Sequence, residues 1–194
     1  MDFNTEQLNE LIRHRRSILP NFYTGEVIDD RIIQQILENA TWAPNHKNTE
    51  PWRFVVFKGE GLKKLADFQS ELYKKVATEK GTFKEEKYEE LKAKPLKASH
   101  VIAIGMKRNE KEIVPEIEEI SAVACAVQNM YLTATAYGVG SYWGSGGITY
   151  MNDAKEFFGL GEKDKLMGFF FLGMPRKWFK GKRDPVEEKT RWVR

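Results

Sequence analysis

One segment, Pro115–Tyr137, constrains the fold of this chain more than any other. Apolar residues recur in it at helical spacing along two lines, one from Ile117 to Ala134 and one from Val123 to Tyr137. Proline suits the first position of a helix, where its missing N–H has no partner to lose. A helix that is apolar on two sides is buried on two sides, so one side is expected to face the core and the other could face a second subunit.

Composition narrows the class of protein. Apolar residues make up 41% of the 194 residues and aromatic residues 12%, which is typical of a packed globular chain. The net charge of +3 is too small to indicate a polyanionic partner by itself. The basic residues cluster at Arg13–Arg16 and Lys177–Arg183, and such clustering is a better sign of an anion site than the total charge.

Periodicity and turn signals predict alternating helices and strands. The first predicted helix begins at Asn4 or Thr5 and ends before Pro20, and the second begins at Asp29 or Asp30 and ends before Pro44. Two further helices are predicted on the outside of the fold within Leu62–Lys97, and a short one at Asn152–Phe158. The predicted strands are Arg53–Lys58, His100–Met106, Val139–Trp143 and Met167–Leu172. The pattern predicts one α+β domain over residues 1–194, with helices packed around a small sheet.

Targeting and redox signals predict a cytoplasmic protein. The N-terminal residues lack a basic segment followed by an apolar one, and no apolar stretch approaches the roughly 20 residues needed to span a bilayer. The single cysteine, Cys125, excludes a disulfide within the chain. It lies in the apolar run Ser121–Val127, where a small buried core residue is expected.

The run Arg13-His14-Arg15-Arg16-Ser17 follows the first predicted helix. Guanidinium groups and a hydroxyl can hold a phosphate through charge-assisted hydrogen bonds. Cations near a helix C-terminus also offset the helix dipole, so the run alone leaves both interpretations open.

Three further segments could approach a ligand. The loop Trp42–Trp52 joins a helix to a strand and contains two prolines, but it could equally be an ordinary polar connection. Gly138–Gly147 holds five glycines, which permit close backbone approach to a flat ligand or simply a tight turn. Its spacing is not that of a dinucleotide fingerprint or a P-loop. Lys180–Arg183 could complete a phosphate site or be a solvated tail.

Other chemistries find little support. The three histidines and one cysteine are scattered and lack zinc-ligand spacing, so no metal site is expected. No Gly-x-Ser-x-Gly elbow is present. Paired glutamates such as Glu85-Glu86 lie in charged stretches typical of the surface. No catalytic side chain is predicted.

In order and spacing, several of these segments together resemble the nitroreductase family over nearly the whole chain. The matching pieces are Arg15-Arg16-Ser17, the Ala43-Pro44 to Pro51-Trp52 loop, Ser121-Ala122 to Ser141, Gly173-Met174-Pro175, and Pro185 to Glu188 after a basic stretch. The loop Asn45–Glu50 and the short, charged Leu62–Lys97 region depart from larger members, so acceptor specificity is not carried over.

The resemblance implies a nitroreductase-like α+β fold with a small, mostly antiparallel sheet, in an intertwined homodimer with FMN at the subunit interface. It places Arg15, Arg16 and Ser17 on FMN, and Trp143, Gly144 and Ser145 beside its ring. The further positions it implies are Trp42 and His46, which approach from the partner subunit, and Lys182 and Arg183, which contact the phosphate.

The function implied is that of an FMN-dependent NAD(P)H oxidoreductase. NAD(P)H would be the electron donor, and small molecules such as nitroaromatics or quinones would accept hydride by a ping-pong mechanism. The alternatives are a non-catalytic flavin carrier or flavin-degrading relative, and a nucleic-acid-binding module that uses the two basic clusters. Neither a nucleic acid nor a membrane is the expected partner.

Overall fold

Four antiparallel strands form the centre of the computed structural model, which describes residues 2–194. They are β1 (Trp52–Lys58), β2 (His100–Met106), β3 (Gly140–Gly144) and β4 (Lys165–Gly173), in the spatial order β1-β2-β4-β3. Every neighbouring pair is antiparallel. The predicted antiparallel sheet is therefore confirmed, with strand ends that differ from the expected ones by at most two residues.

Five α-helices surround this sheet: α1 (Thr5–His14), α2 (Asp30–Thr41), α3 (Glu60–Glu79), α4 (Glu85–Ala93) and α5 (Glu116–Ala136). The polar caps act as expected, since the Asn4 side chain accepts from Gln7 N–H at 3.0 Å and Asp29 accepts from Arg31 N–H at 2.8 Å. The predicted helix Asn152–Phe158 is wrong. The segment forms two single 3₁₀ turns, Asn152–Ala154 and Glu156–Phe158, because it is too short to sustain α-helical bonding. Within residues 2–194, no helix combines the length and apolar character that crossing a membrane requires.

The alternating side chains of β4 divide the core into two layers. Phe170 and Leu172 pack with α2 and α5 on one face of the sheet. Phe169 and Phe171 pack on the other face with residues of α3, such as Leu65. All five phenylalanine and leucine side chains of β4 are buried, so this strand joins both halves of the fold.

Helix α5 keeps one line of its surface unburied. Val123, Ala126 and Met130 are fully buried in the core, as expected. Ile117, by contrast, is 65% exposed, and Ser121, Cys125 and Gln128 follow it on the same exposed side. The expectation that Cys125 is a buried core residue is wrong for the single chain, because helical spacing turns it away from the sheet.

Helix α1 also has an apolar side that the rest of residues 2–194 covers only in part. It has no buried residue, and its Leu8 and Ile12 are 50% and 47% exposed. The expected apolar side of this helix is thus present, but it does not face the core of its own chain.

Candidate functional site

The outer edge of β3 is the structural base of the candidate site. In an antiparallel strand, alternate residues direct their backbone groups to opposite edges, and one edge of β3 is paired along its length with β4. On the outer edge, the carbonyl of Ser141 accepts from Ile18 N–H at 2.8 Å, and the N–H of Trp143 donates to Tyr131 Oη at 2.7 Å. The N–H of Ser145, two residues further along, donates to no group of residues 2–194. On this outer edge, called the free edge of β3 below, the Ser145 N–H is therefore an available donor, whereas the Ser141 carbonyl and the Trp143 N–H are already hydrogen-bonded.

Tyr131 on α5 connects the two chain segments that meet at this edge. Its hydroxyl accepts from Trp143 N–H and lies 3.2 Å from Ser17 Oγ. Because Ser17 also forms a parallel bridge to Ser141, the segment after α1 is held along β3 at two points. Buried tyrosines normally find a partner for the hydroxyl, and here that partner fixes the position of the candidate residues Ser17 and Trp143.

The backbone around Gly144 is closely packed. Gly168 on β4 has φ +115°, a conformation that favours glycine, and a Cβ there would overlap the Gly144 carbonyl. Trp143 is held from its other end, since its indole Nε1–H donates to the Met167 carbonyl at 3.0 Å. The glycines of this segment thus allow β3 and β4 to pack closely, and they also leave room for a ligand to lie against the backbone.

The structure separates the roles of the two adjacent arginines. Arg16 is committed to the backbone: Nε donates to the Phe179 carbonyl at 3.0 Å, and Nη1 donates to the carbonyls of Arg13 and Arg15 at 2.7 and 2.6 Å. Arg15 makes no such bonds to residues 2–194, and its guanidinium lies 5.0 Å from the centre of the Tyr131 ring. Arg15 is therefore the arginine with free donors beside the free edge of β3.

The first part of the C-terminal tail docks against the end of α1. The Trp178 ring lies 4.6 Å from the His14 ring, and Phe179 meets Phe22 edge to face at 4.9 Å. Gly181 lies so close to the Arg16 guanidinium that a Cβ would overlap it. A polar tail becomes ordered where it docks onto the rest of the fold, and these contacts supply that docking as far as Gly181.

Lys182 and Arg183 are exposed, and the only side-chain hydrogen bond between them joins Arg183 Nη1 to the Lys182 carbonyl. Within residues 2–194, no hydrogen bond joins either side chain to Arg15 or Ser17. The residues of the basic stretch that do reach the end of α1 are Lys180 and Gly181, which line a cavity of about 770 Å³ together with Arg13 and Arg16.

Trp42 and His46 lie elsewhere in the chain. Trp42 ends α2 and is 81% exposed, and His46 Nδ1 lies 2.5 Å from Glu118 Oε2 in the first turn of α5. Glu118 and Tyr131 are 13 residues apart on α5, which places them about 20 Å apart along the helix axis. Within one chain, His46 and the Ser17–Trp143 pair are thus at opposite ends of α5.

The loop that contains His46 adopts an uncommon backbone. Lys47, Asn48 and Glu50 have positive φ angles of 53°, 50° and 42°. Positive φ is uncommon in lysine and glutamate, so contacts with the surrounding chain are needed to hold the loop in this conformation. Two bonds hold it: Glu50 N–H donates to Asn45 Oδ1, and Lys47 Nζ donates to the Ile113 carbonyl, both at 3.0 Å.

A second cavity, of about 470 Å³, continues from the free edge of β3. Trp143 and Ser145 line it on one side and Ile120 of α5 on another. In the described part of the chain, no three or more His, Cys, Asp or Glu side chains come together in a way that could hold a metal ion.

Sequence reasoning missed the two residues that organise the site. Tyr131 was counted only as a member of an apolar line of α5, although a tyrosine in such a line signals a hydroxyl that needs a partner. Ser141 belongs to the glycine-rich segment and to a piece that resembles the family but is not among the predicted site residues, yet its Oγ is buried without a hydrogen-bond partner among residues 2–194. A buried polar atom without a hydrogen-bond partner is uncommon, and here it lies in the strand that forms the candidate site.

Comparison with known proteins identifies the family. Residues 12–174 match the model of the Nitroreductase family. The Escherichia coli (strain K12) protein named "Putative NAD(P)H nitroreductase YdjA" is 33% identical over 170 residues, which cover 86% of this chain and 87% of that protein.

Solved structures agree with this result. A nitroreductase-like family protein from Bacillus cereus is 29% identical, with a TM-score of 0.81 over 100% of this chain and 98% of the other. A putative nitroreductase from Desulfovibrio desulfuricans, solved in complex with FMN, has the same fold at 23% identity, with a TM-score of 0.73 over 100% and 99% of the two chains. The protein therefore belongs to the nitroreductase family and has its fold.

Proposed function

We propose that this protein is an FMN-dependent NAD(P)H oxidoreductase that reduces small electron-poor acceptors such as nitroaromatics or quinones. The observation that carries the proposal is the free edge of β3, where Tyr131 fixes Ser17 and Trp143 next to the available N–H of Ser145. The FMN in the Desulfovibrio relative and the name of the Escherichia coli relative support the choice of cofactor and donor.

The residues at this edge fit the parts of FMN. Ser17 presents a hydroxyl to polar atoms of the cofactor, and the backbone of Trp143, Gly144 and Ser145 can lie against a planar ring. Arg15, with its free guanidinium, is the proposed phosphate ligand. Arg16 positions the tail, from which Lys182 and Arg183 are proposed to reach the phosphate of the same or the partner subunit.

Bound FMN would take hydride from NAD(P)H and pass it to an acceptor that enters after the nicotinamide has left. The Ser145 N–H is available to donate to a ring nitrogen. The positive charge of Arg15 would stabilise negative charge on the cofactor. No side chain is needed as a nucleophile, and none at the free edge of β3 is arranged as one.

A second copy of this chain is proposed to complete the site. The exposed line on α5 and the partly covered apolar side of α1 offer it a surface. If two α5 helices pack antiparallel, the Glu118 end of one lies beside the Tyr131 end of the other. The partner subunit's His46 and Trp42 would then approach the free edge of β3, which they do not reach within one chain.

The visible spectrum of the purified protein tests the proposal. We expect absorption in the blue that bleaches on anaerobic addition of NADPH and returns with a nitroaromatic or quinone. A yellow protein that neither NADPH nor NADH bleaches would indicate a flavin carrier instead. A colourless protein that takes up no added FMN would overturn the proposal, and salt-sensitive binding of nucleic acid would then favour the other class.

Titration with FMN tests the phosphate ligand. Arg15→Ala should weaken FMN binding about tenfold or more, because losing a charge-assisted hydrogen bond costs about 1.5–3 kcal/mol. Arg31→Ala is the matched control, since Arg31 is 91% exposed and pairs only with Asp29. Unchanged FMN affinity in Arg15→Ala would contradict the assignment.

A further inference from the structure

The cavity beyond Ser145 has a charge pattern that selects among acceptors. It holds about 470 Å³, and none of its lining residues is acidic. Two lysines, Lys155 and Lys165, line it together with the aromatic side chains of Trp143 and Tyr150. An opening with aromatic surface, cationic groups and no carboxylate suits a planar anion.

The two lysines differ in how far their charge is compensated. Lys165 Nζ lies 3.3 Å from Glu116 Oε1, so a carboxylate offsets part of its charge. Lys155 Nζ donates to the backbone carbonyl of Glu162 at 2.8 Å and forms no ion pair with any of residues 2–194. Lys155 is therefore the lysine of this cavity whose positive charge is not offset by a paired carboxylate.

Lys155 is also held in place. Its N–H donates to the Asn152 carbonyl at 3.0 Å, and its own carbonyl accepts from the N–H groups of Phe158 and Leu160, each at 3.0 Å. The side chain is half-buried. Because the backbone is fixed on both sides, little ordering is required before the ammonium group meets an anion.

We propose that Lys155 makes this protein selective for acceptors that carry a carboxylate or phenolate on the ring that bears the group to be reduced. The inference rests on the proposed function, because it names the acceptor class of the same site. Lys155 would attract the anionic group while the ring lies against the Trp143 side of the cavity. Lys165 would contribute less, since Glu116 competes for it.

A matched pair of acceptors isolates the charge. 4-Nitrobenzoate and 4-nitrobenzamide have the same nitroaromatic ring and differ in the charge of one substituent. With the FMN-loaded protein at low salt, we expect a higher kcat/KM for 4-nitrobenzoate. Lys155→Met should reduce that preference about two- to fivefold, the range measured for partly exposed ion pairs. The change should appear in KM, and added salt should reduce the preference of the unaltered protein.

Lys163→Met is the control, because Lys163 is near in sequence but pairs with Glu112 and does not line the cavity. Lys155→Arg keeps the charge and should keep the preference. Equilibrium binding of 4-nitrobenzoate to the oxidised holoenzyme, followed through the flavin spectrum, gives a readout that does not depend on turnover. It should weaken in Lys155→Met and not in Lys163→Met.

The outcomes separate the two proposals. A protein without flavin, or one that neither NADPH nor NADH bleaches, contradicts the proposed function. A yellow protein that NADPH bleaches, with the same preference in Lys155→Met as in the unaltered chain, overturns the role of Lys155 alone. An equal loss in Lys163→Met would also overturn it, because that loss would reflect a general surface charge.

Discussion

The hydroxyl of Tyr131 accepts a hydrogen bond of 2.7 Å from the backbone N–H of Trp143. The two residues belong to α5 and β3, so one side-chain atom links the long helix to the outer edge of the sheet. Ser17, at 3.2 Å from the same oxygen, completes the arrangement. The position of the candidate site thus depends on a single phenol group that is almost completely buried.

Tyr131→Phe should weaken both folding and cofactor binding. The Trp143 N–H would lose its acceptor in a largely enclosed position, at a cost of about 1–3 kcal/mol in the free energy of unfolding. Urea denaturation measures this cost, and FMN titration measures the effect on the site. Tyr150→Phe is the control, since Tyr150 is 80% exposed. Equal stability of the two variants would show that the Tyr131 hydroxyl does not hold this edge.

Gly181→Ala should release the tail from α1. A Cβ would overlap the guanidinium of Arg16, which three backbone carbonyls hold in place. Such overpacking typically costs about 1–3 kcal/mol. Trypsin should then cleave several-fold faster at Lys180 and Lys182. Gly61→Ala, whose added Cβ would meet only Phe57 at an ordinary 3.9 Å, should leave the cleavage rate unchanged. Identical cleavage in both variants would argue against the contact.

The stability of the fold should fall as the pH drops below about 6.5 because of His100. Burial lowers the pKa of His100 from its ordinary value of 6.5, against the opposing effect of its hydrogen bond to Asp30. The unfolded chain therefore binds a proton more readily than the folded one between these two pKa values, and this favours unfolding. Lys58 also faces this pair through its bond to Asp30.

His100→Gln removes the titrating group while keeping hydrogen-bonding capacity. The loss of stability below pH 6.5 should become shallower by at most about 1.4 kcal/mol per pH unit, the limit for one proton. Urea unfolding at several pH values measures the slope. A steeper slope in His100→Gln would contradict the assignment.

Cys125 should form a cross-link between two subunits. It lies on the exposed line of α5, almost midway between Glu118 and Tyr131. In an antiparallel pair of α5 helices, the midpoint of one lies next to the midpoint of the other. Mild oxidation or a short bis-maleimide should therefore give a covalent dimer on a non-reducing gel.

A cysteine placed elsewhere serves as the control for this cross-link. In the double variant Cys125→Ser, Glu79→Cys, the thiol lies at the end of α3, away from α5. It should cross-link far less at the same protein concentration. Efficient cross-linking there, with none through Cys125, would argue against pairing through α5.

The regular elements could be predicted because their patterns are strong. Short runs rich in β-branched and aromatic residues identified the strands, and the polar caps Asn4 and Asp29 identified two helix starts. Asn152–Phe158 was wrongly assigned, since seven residues do not distinguish an α-helix from two 3₁₀ turns. Cys125 was wrongly assigned because composition indicates an apolar environment but not which side of a helix faces the sheet.

The site was harder to predict because it depends on individual atoms. The sequence shows Arg15 and Arg16 as equivalent neighbours, whereas the folded chain commits the Nε and Nη1 donors of Arg16 to carbonyls and leaves Arg15 free. The hydroxyl of Tyr131 is indistinguishable in sequence from that of any other tyrosine in a helix. Long-range contacts such as these, between residues more than 100 positions apart, leave no local signal.

The distance along α5 between Glu118 and Tyr131 has a genetic consequence if two chains pair as proposed. Each reaction centre would draw one half from each polypeptide. When Arg15→Ala is on one chain and His46→Ala on the other, a mixed assembly would collect both lesions in one centre and leave the second centre intact. Two separately defective alleles would then complement each other, whereas the same lesions combined in one chain would damage both centres of a mixed assembly.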